Sequence, residues 1–288
     1  MQKITEFGQE LSNNQIIANP EKSKLENDSY ITFNGSGNIL FVEDGVKLSS
    51  SRIAFNGDNA LVYLSKSQKL YYLDISANFG SCVFIGQENY FNGKLNLITS
   101  ERKNIIIGSD CLFSFGIFIR VADPHLIYSC STKERLNQSK SVLIGDHVWI
   151  GQNALVLKGT VLGSGSILGG GSVITNKTIP SNSSAAGNPA KIISEGIFYS
   201  KECVHNFNEE QTKKYQKQNS SQWIYSEDTS QIGLKKLDDM LCEQKTAQDK
   251  LNIIIEKVAG NSSKNRFYAE KTIKHKSPFA KAKAIFGK

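Results

Sequence analysis

IGDHVWIGQNALVLKGTVLGSGSILGGGSVITNKT, residues 144–178, repeats with a period of six. Ile144, Ile150, Val156, Leu162, Leu168 and Ile174 are aliphatic and fall six apart. Four residues after each stands a small or β-branched residue: Val148, Ala154, Thr160, Ser166, Ser172 and Thr178. Glycine follows four of the aliphatics, at Gly145, Gly151, Gly163 and Gly169. A period of six fits neither the 3.6 of a helix nor the alternation of a single strand. It is the period of a solenoid in which each side of a triangular coil takes six residues.

Such a coil takes about eighteen residues per turn. The aliphatic points inward and stacks on its counterpart one turn later, so the spacing predicts Ile144 under Leu162, Ile150 under Leu168 and Val156 under Ile174. The corner has little room, which demands a small second inward residue. Glycine after the aliphatic is read as supplying positive φ. Neighbouring coils pair as parallel strands about 4.8 Å apart. A β-sandwich of regular short strands would alternate at period two and show no fixed small corner.

The pattern resembles the hexapeptide-repeat acyltransferases over residues 144–193. The resemblance includes His147-Val148-Trp149-Ile150-Gly151, Gly169-Gly170-Gly171-Ser172-Val173-Ile174 and Ala185-Ala186-Gly187-Asn188-Pro189-Ala190-Lys191. It implies a mainly β chain folded as a left-handed parallel β-helix. That hand runs against the usual rule for parallel crossovers and comes from the resemblance alone.

The chain has 288 residues, long enough for one large domain and an appendage. A hydrophobic content of 39% is low for a globular core but suits a narrow solenoid. No run of about eighteen apolar residues predicts a membrane span, and the N-terminus shows no secretory h-region. Cys82, Cys111, Cys130, Cys203 and Cys242 are scattered. Their spacing gives neither a metal site nor a disulfide framework, so no metal is expected and a cytoplasmic setting is the simplest reading. The formal charge is +7. Residues 261–288 hold eight Lys/Arg and one acid, Glu270, and so carry the whole surplus. Basic contacts are therefore sought at the C-terminus, and no nucleic-acid partner is expected.

Taken in order, residues 1–30 read as an N-terminal segment with a short helix over residues 3–17, broken at Asn19-Pro20. The β-helix is assigned to residues 31–193. Within it a looser repeat begins at Val42, Leu64, Ile85 and Ile107, spaced 22, 21 and 22, with polar Gln68 and Asn89 at the small corner position. Ile107, Phe113 and Ile119 return to strict spacing. The pattern then fails until Val142, which predicts a loop thrown out over about residues 122–140. Loops on rigid scaffolds are where chemistry concentrates. Residues 194–260 read as an aromatic segment followed by one long helix over residues 228–258, packing on a neighbour. Residues 261–288 form a basic tail. Phe279, Ala280, Ile285 and Phe286 among its lysines suit peripheral contact with an anionic membrane surface, or a solvated tail.

Acetyl transfer to a hydroxyl needs a base to take the proton as oxygen attacks the thioester carbonyl, a role that suits an imidazole. In the family such a histidine sits on the ejected loop, and His125 occupies the matching place. Asp123 and Glu134 are candidate orienters of its ring. His147 should point outward from the coil near a subunit seam, as a structural residue. Cys111 reads as a small core residue, which argues against a covalent relay. Trp149 is placed on the outer face, either walling the pocket, with its indole N–H or a backbone N–H facing the oxyanion, or packing between subunits.

The resemblance implies acetyl-CoA as donor and places Trp149, Gly151, Gly170, Lys177 and Lys191 towards it. Gly170 would offer its backbone, and Lys191 would meet the nucleotide phosphates. Asn176 reads as inserted before Lys177. The family also implies a homotrimer with sites between subunits. The loop Ala122-Asp-Pro-His-Leu-Ile-Tyr128, Arg135-Leu-Asn137 and residues 142–151 look most like bacterial O-acetyltransferases of sialic-acid capsules, a likeness covering roughly residues 35–200. The expected acceptor is a sugar hydroxyl of a capsule or other surface polysaccharide. Rival readings are a small acceptor such as serine, a free sugar or an antibiotic, N-acetylation of an amino sugar nucleotide, and a non-catalytic β-helix scaffold.

Overall fold

The computed structural model describes residues 1–270. Its body is a parallel β-solenoid of about seven turns with three flat faces. The first face stacks eight strands in chain order, among them Leu61–Leu64, Cys82–Ile85, Ile105–Ile107, Val142–Ile144 and Val161–Leu162. The second face includes Tyr90–Phe91, Leu112–Phe113, Trp149–Ile150 and Ile167–Leu168. The third runs through Leu73–Ala77, Leu95–Ile98, Phe118–Arg120 and Leu155–Val156 to Val173–Ile174.

The register follows the period of six. Ile144 pairs with Leu162, Ile150 with Leu168 and Val156 with Ile174. All six are fully buried, and burying each stabilises the coil by roughly 1.5–3 kcal/mol. The looser units stack in the same way, Val42 on Leu64, Leu64 on Ile85 and Ile85 on Ile107. Larger side chains fill the wider early coils: Phe33 stacks on Phe55 at 4.7 Å and Phe91 on Phe113 at 5.4 Å. The polar corner residue Asn89 is buried because its amide bridges coils. It donates to Gly86 O and Gly108 O and accepts from Cys111 N. Gln68 does not enter the core; it is exposed, and Tyr71 fills the interior there, donating to Ser65 O.

The repeat glycines have a different cause from the one expected. Gly145 and Gly151 do not have positive φ. A Cβ on Gly145 would lie 2.6 Å from Ser164 N, and one on Gly151 2.5 Å from Gly170 N. Close approach of stacked coils, not backbone handedness, excludes a side chain at both. Asn176 is not an insertion either. The corner between Ile174 and Thr178 holds three residues where the preceding one, between Val156 and Val161, holds four. Thr178 therefore pairs with outward Val161, and Ile179 takes the inward place against Leu162.

The first residues form strands, not a helix. Gln15–Ile17 is already the first strand of the first face, so the solenoid starts well before residue 31. Gln2–Ile4 runs antiparallel to Tyr30–Phe33 and covers the open edge of the stack. Unpaired strand groups at that edge favour pairing over a local helix. At the other end Ala190–Glu195 turns back antiparallel on Ser183–Gly187.

The long helix is also two: α2 (Leu234–Glu243) and α3 (Ala247–Ile254), following a short α1 (Glu209–Lys214). Gln244 is extended, and Thr246 caps α3 by accepting from Asp249 N. Arg102 donates to Cys242 O and Gln244 O, and buried Lys250 also donates to Gln244 O. These bonds satisfy carbonyls that a continuous helix would have used itself. The helices pack on the chain's own first face, whose outward Leu61, Tyr63, Phe84, Ile106 and Leu143 meet Leu237, Leu241, Leu251 and Ile254. The basic tail begins later than residue 261. Phe267 is fully buried in the same cluster, Ser181 N donates to Ala269 O, and Arg266 pairs with Asp146. The segment proposed to meet a membrane lies outside the described residues. No described helix is long and apolar enough to cross a membrane.

Candidate active site

Residues 122–140 leave the coil between the third and first faces, while Ile107 pairs directly with Ile144 across the gap. The loop is built around Asn137, which is 7% exposed. Its amide nitrogen donates to His125 O at 2.7 Å and to Asp123 Oδ2 at 3.1 Å. Its amide oxygen accepts from Ile127 N at 2.9 Å and from Arg135 Nε at 3.4 Å.

Ion pairs then pin the loop to the coils on both sides. Arg135 makes two bonds to Glu101, at 2.6 and 2.9 Å, and Ser139 donates to the same carboxylate. Those bonds, Arg135 first, bring the Glu101 carboxyl down to about 2. Lys158, one coil on, pairs with Asp123 and lowers its carboxyl pKa. Lys140 donates to Asn176 at 2.8 Å.

His125 stands exposed on this frame. Only its carbonyl is engaged, and among the described residues its ring makes no hydrogen bond. Neither expected orienter holds the ring. Asp123 is committed to Lys158 and Asn137, and the Glu134 carboxylate makes no bond among the described residues. Beside it Leu126, Ile127, Tyr128 and Leu136 are all more than half exposed, an apolar rim on a polar loop.

The remaining candidates lie elsewhere on the prism. Trp149 is on the outer second face, 37% exposed, with Tyr199 tilted against it at 5.7 Å. Gly170 and Gly171 are exposed at the corner between the second and third faces, and a Cβ on Gly171 would meet nothing within 4 Å. The backbone is open to an elongated ligand there. Gly151 is buried and serves the contact between coils. Lys191 is exposed in the strand Ala190–Glu195, and its ammonium makes no hydrogen bond among the described residues. Lys177 is at the His125 corner and is tied to Ala190 O. One chain thus carries His125 on one edge of the third face and the Gly170 corner on the other. Among the described residues no cluster of three or more His, Cys, Asp or Glu could hold a metal ion.

His147 is structural, but its cover is the chain's own. It is fully buried, stacked between Trp223 at 3.6 Å and Tyr199 at 4.1 Å. Its Nδ1 faces Asp110 Oδ2 at 2.8 Å and its Nε2 faces Tyr199 O at 3.1 Å. Cys111 is fully buried, and burial pushes its thiol pKa far up, which removes it as a nucleophile. Sequence reasoning missed Glu101 and Lys158, and gave Asn137 no role beyond its place in a stretch that carries the resemblance. Glu101 and Lys158 lie in the coils on either side of the loop, Asn137 lies in the loop itself, and no local pattern links them.

A solenoid of six-residue sides with a histidine-bearing loop at one corner defines a hexapeptide-repeat transferase, and the bacterial transferase hexapeptide family (six repeats) matches residues 141–176. The chain belongs to the hexapeptide-repeat acyltransferases, in the branch of the polysialic acid O-acetyltransferases, and is an O-acetyltransferase of that branch. It is 40% identical over 193 residues to the polysialic acid O-acetyltransferase of Neisseria meningitidis, covering 67% of this chain and 88% of that protein. It is 40% identical over 128 residues to the enzyme of the same name from Escherichia coli O1:K1 / APEC, 44% of this chain and 41% of that one. The crystal structure of the polySia-specific acetyltransferase NeuO superposes with a TM-score of 0.61 at 32% identity, over 70% of this chain and 93% of that one. The polysialic acid O-acetyltransferase OatWY gives 0.55 at 29%, over 68% and 92%.

Proposed function

We propose that the protein transfers acetyl from acetyl-CoA to a hydroxyl of a sialic-acid-containing capsule polysaccharide, with His125 as general base. The carrying observation is an exposed imidazole, unbonded among the described residues, on a loop held by ion pairs, in a chain whose relatives are named for polysialic acid O-acetylation. His125 takes the acceptor hydroxyl proton as its oxygen bonds to the thioester carbonyl carbon. The C–S bond then breaks, the thiolate takes up a proton, and an acetyl ester and free coenzyme A leave.

The Lys191 ammonium, unpaired among the described residues, is available for the nucleotide phosphates, and the exposed Gly170–Gly171 backbone is open to the pantetheine arm. Trp149, half-open on the second face, would wall the thioester. Lys177, bound to the coil end, is assigned no phosphate contact. With the two halves on opposite edges of the third face, we infer a homotrimer with sites between subunits. Exposed Phe115 and Leu155 beside that face and the apolar loop rim support this.

The test is thiol release with polysialic acid as acceptor, the acetylated position being read by NMR. His125→Ala should lower turnover by about two to four orders of magnitude. Near-normal turnover would end the assignment.

A further inference from the structure

A cavity of about 340 Å³ lies where the C-terminal extension crosses the corner between the first and second faces. It is separate from the His125 loop, which emerges at the next corner round the prism. Ser65, Gln87 and Ser109 line it from three successive coils, and Trp223, Tyr225 and the segment at residues 261–264 line it from the extension. Its volume falls within the range of small-ligand sites.

The lining has a definite chemistry. Asp146 is neutralised by Arg266 through two hydrogen bonds, at 2.7 and 2.8 Å. Asp110 is paired with Lys201 and with His147. Lys264 alone among the charged lining groups meets no carboxylate among the described residues; its ammonium donates to Ser221 O at 2.9 Å and keeps two donors free. The cavity therefore carries a surplus positive charge at its exposed edge. Ser65 lines it, is 1% exposed, and its hydroxyl has no hydrogen-bond partner among the described residues. A buried hydroxyl without a partner is costly, so an occupant that bonds to it is stabilised. Trp223 and Tyr225 supply aromatic surface for the C–H face of a sugar ring, and the Gln87 and Asn261 amides supply donors and acceptors for its substituents.

We propose that this cavity is a second saccharide subsite, which binds a carboxylated sugar residue of the acceptor polymer away from the reacting hydroxyl. Lys264 meets the carboxylate and Ser65 a ring substituent. The choice of sugar rests on the proposed acceptor class. The site itself does not depend on catalysis.

The full chain contains two tryptophans, Trp149 and Trp223. Labelled with 5-fluorotryptophan, it gives two ¹⁹F signals, assigned with Trp149→Phe. Free N-acetylneuraminic acid, its methyl ester and adenosine 3′,5′-bisphosphate are titrated without any acetyl donor. The acid should shift the Trp223 signal saturably. Lys264→Ala should weaken that binding by about five- to tenfold, Ser65→Ala by a smaller factor, and the methyl ester should bind like the acid does to Lys264→Ala. Equal binding of acid and ester, no change in Lys264→Ala, or a Trp223 signal moved only by the bisphosphate would each overturn the proposal. His125→Ala should bind the acid as the wild type does. Failure of acetyl transfer and failure of this subsite are thereby read separately.

Discussion

Replacing Asn137 by alanine tests whether the loop frame, and not the histidine alone, makes the site. The side chain makes four hydrogen bonds inside the loop, two as donor and two as acceptor. Each is worth about 0.5–1.5 kcal/mol net, and water can replace part of that on an exposed loop. The bond from Arg135 is long, at 3.4 Å, and contributes least. The sum is therefore about 2 kcal/mol, or roughly a thirtyfold shift from ordered to open loop. The solenoid should be untouched, because Asn137 is outside the stacked strands and Ile107–Ile144 pairing closes the coil without it. kcat should fall by about ten- to a hundredfold, less than for loss of the base itself, with the donor KM nearly unchanged. The assay pairs steady-state thiol release with hydrogen exchange over residues 122–140. If exchange shows the loop open while kcat stays within twofold of wild type, the frame does not position His125 and the reasoning is wrong.

Three further outcomes are expected. Gly145→Ala drives a Cβ to 2.6 Å from Ser164 N, a backbone atom that cannot swing away, so it should cost about 1–3 kcal/mol or more and lower the melting temperature. An unchanged melting temperature would mean that the coils are not stacked this tightly. Lys191→Ala should raise the acetyl-CoA KM several-fold and leave kcat nearly intact, as expected for an exposed phosphate contact; a loss in kcat alone would count against that role. For pH, the Glu101 carboxyl is lowered to about 2 from an ordinary 4.5, chiefly by Arg135, and Asp123 is lowered by Lys158. A depressed carboxyl stabilises above its unfolded value and loses that contribution as pH falls through its folded value. Loop protection should thus hold from pH 8 to 5 and decline between about 4.5 and 2. Decline already at pH 6–7 would refute the ion-pair frame.

What could be read from residue order was what repeats along the chain. Ile144, Ile150 and Val156 announce their partners because a coil returns the chain to the same place at a fixed interval, and their pairings lie in that register. The break after Arg120 was visible for the same reason, as a failure of the interval. The roles of Glu101 and Lys158 were not visible, since they meet Arg135 and Asp123 of the loop only once neighbouring coils are stacked, and that of Asn137 depends on how the loop folds on itself. The covering of the first face was missed despite a usable signal. Cys82-Val83-Phe84-Ile85, Ile105-Ile106-Ile107 and Val142-Leu143-Ile144 are apolar at every position, and such strands are buried on both sides. One side is the solenoid core; the other had to be covered, and α2 and α3 supply the Leu237, Leu241, Leu251 and Ile254 that cover it. Strands of the third face alternate instead, as in Leu73–Ala77 and Leu95–Ile98 with their outward polar Asp74, Ser76 and Asn96. The same contrast, applied to the second and third faces at the later coils, isolates outward Trp149, Phe118 and Leu155 as apolar positions no described helix covers. Trp149 has Tyr199 tilted against it and Phe118 lies under Arg120, so the cover at these positions is partial and comes from single side chains.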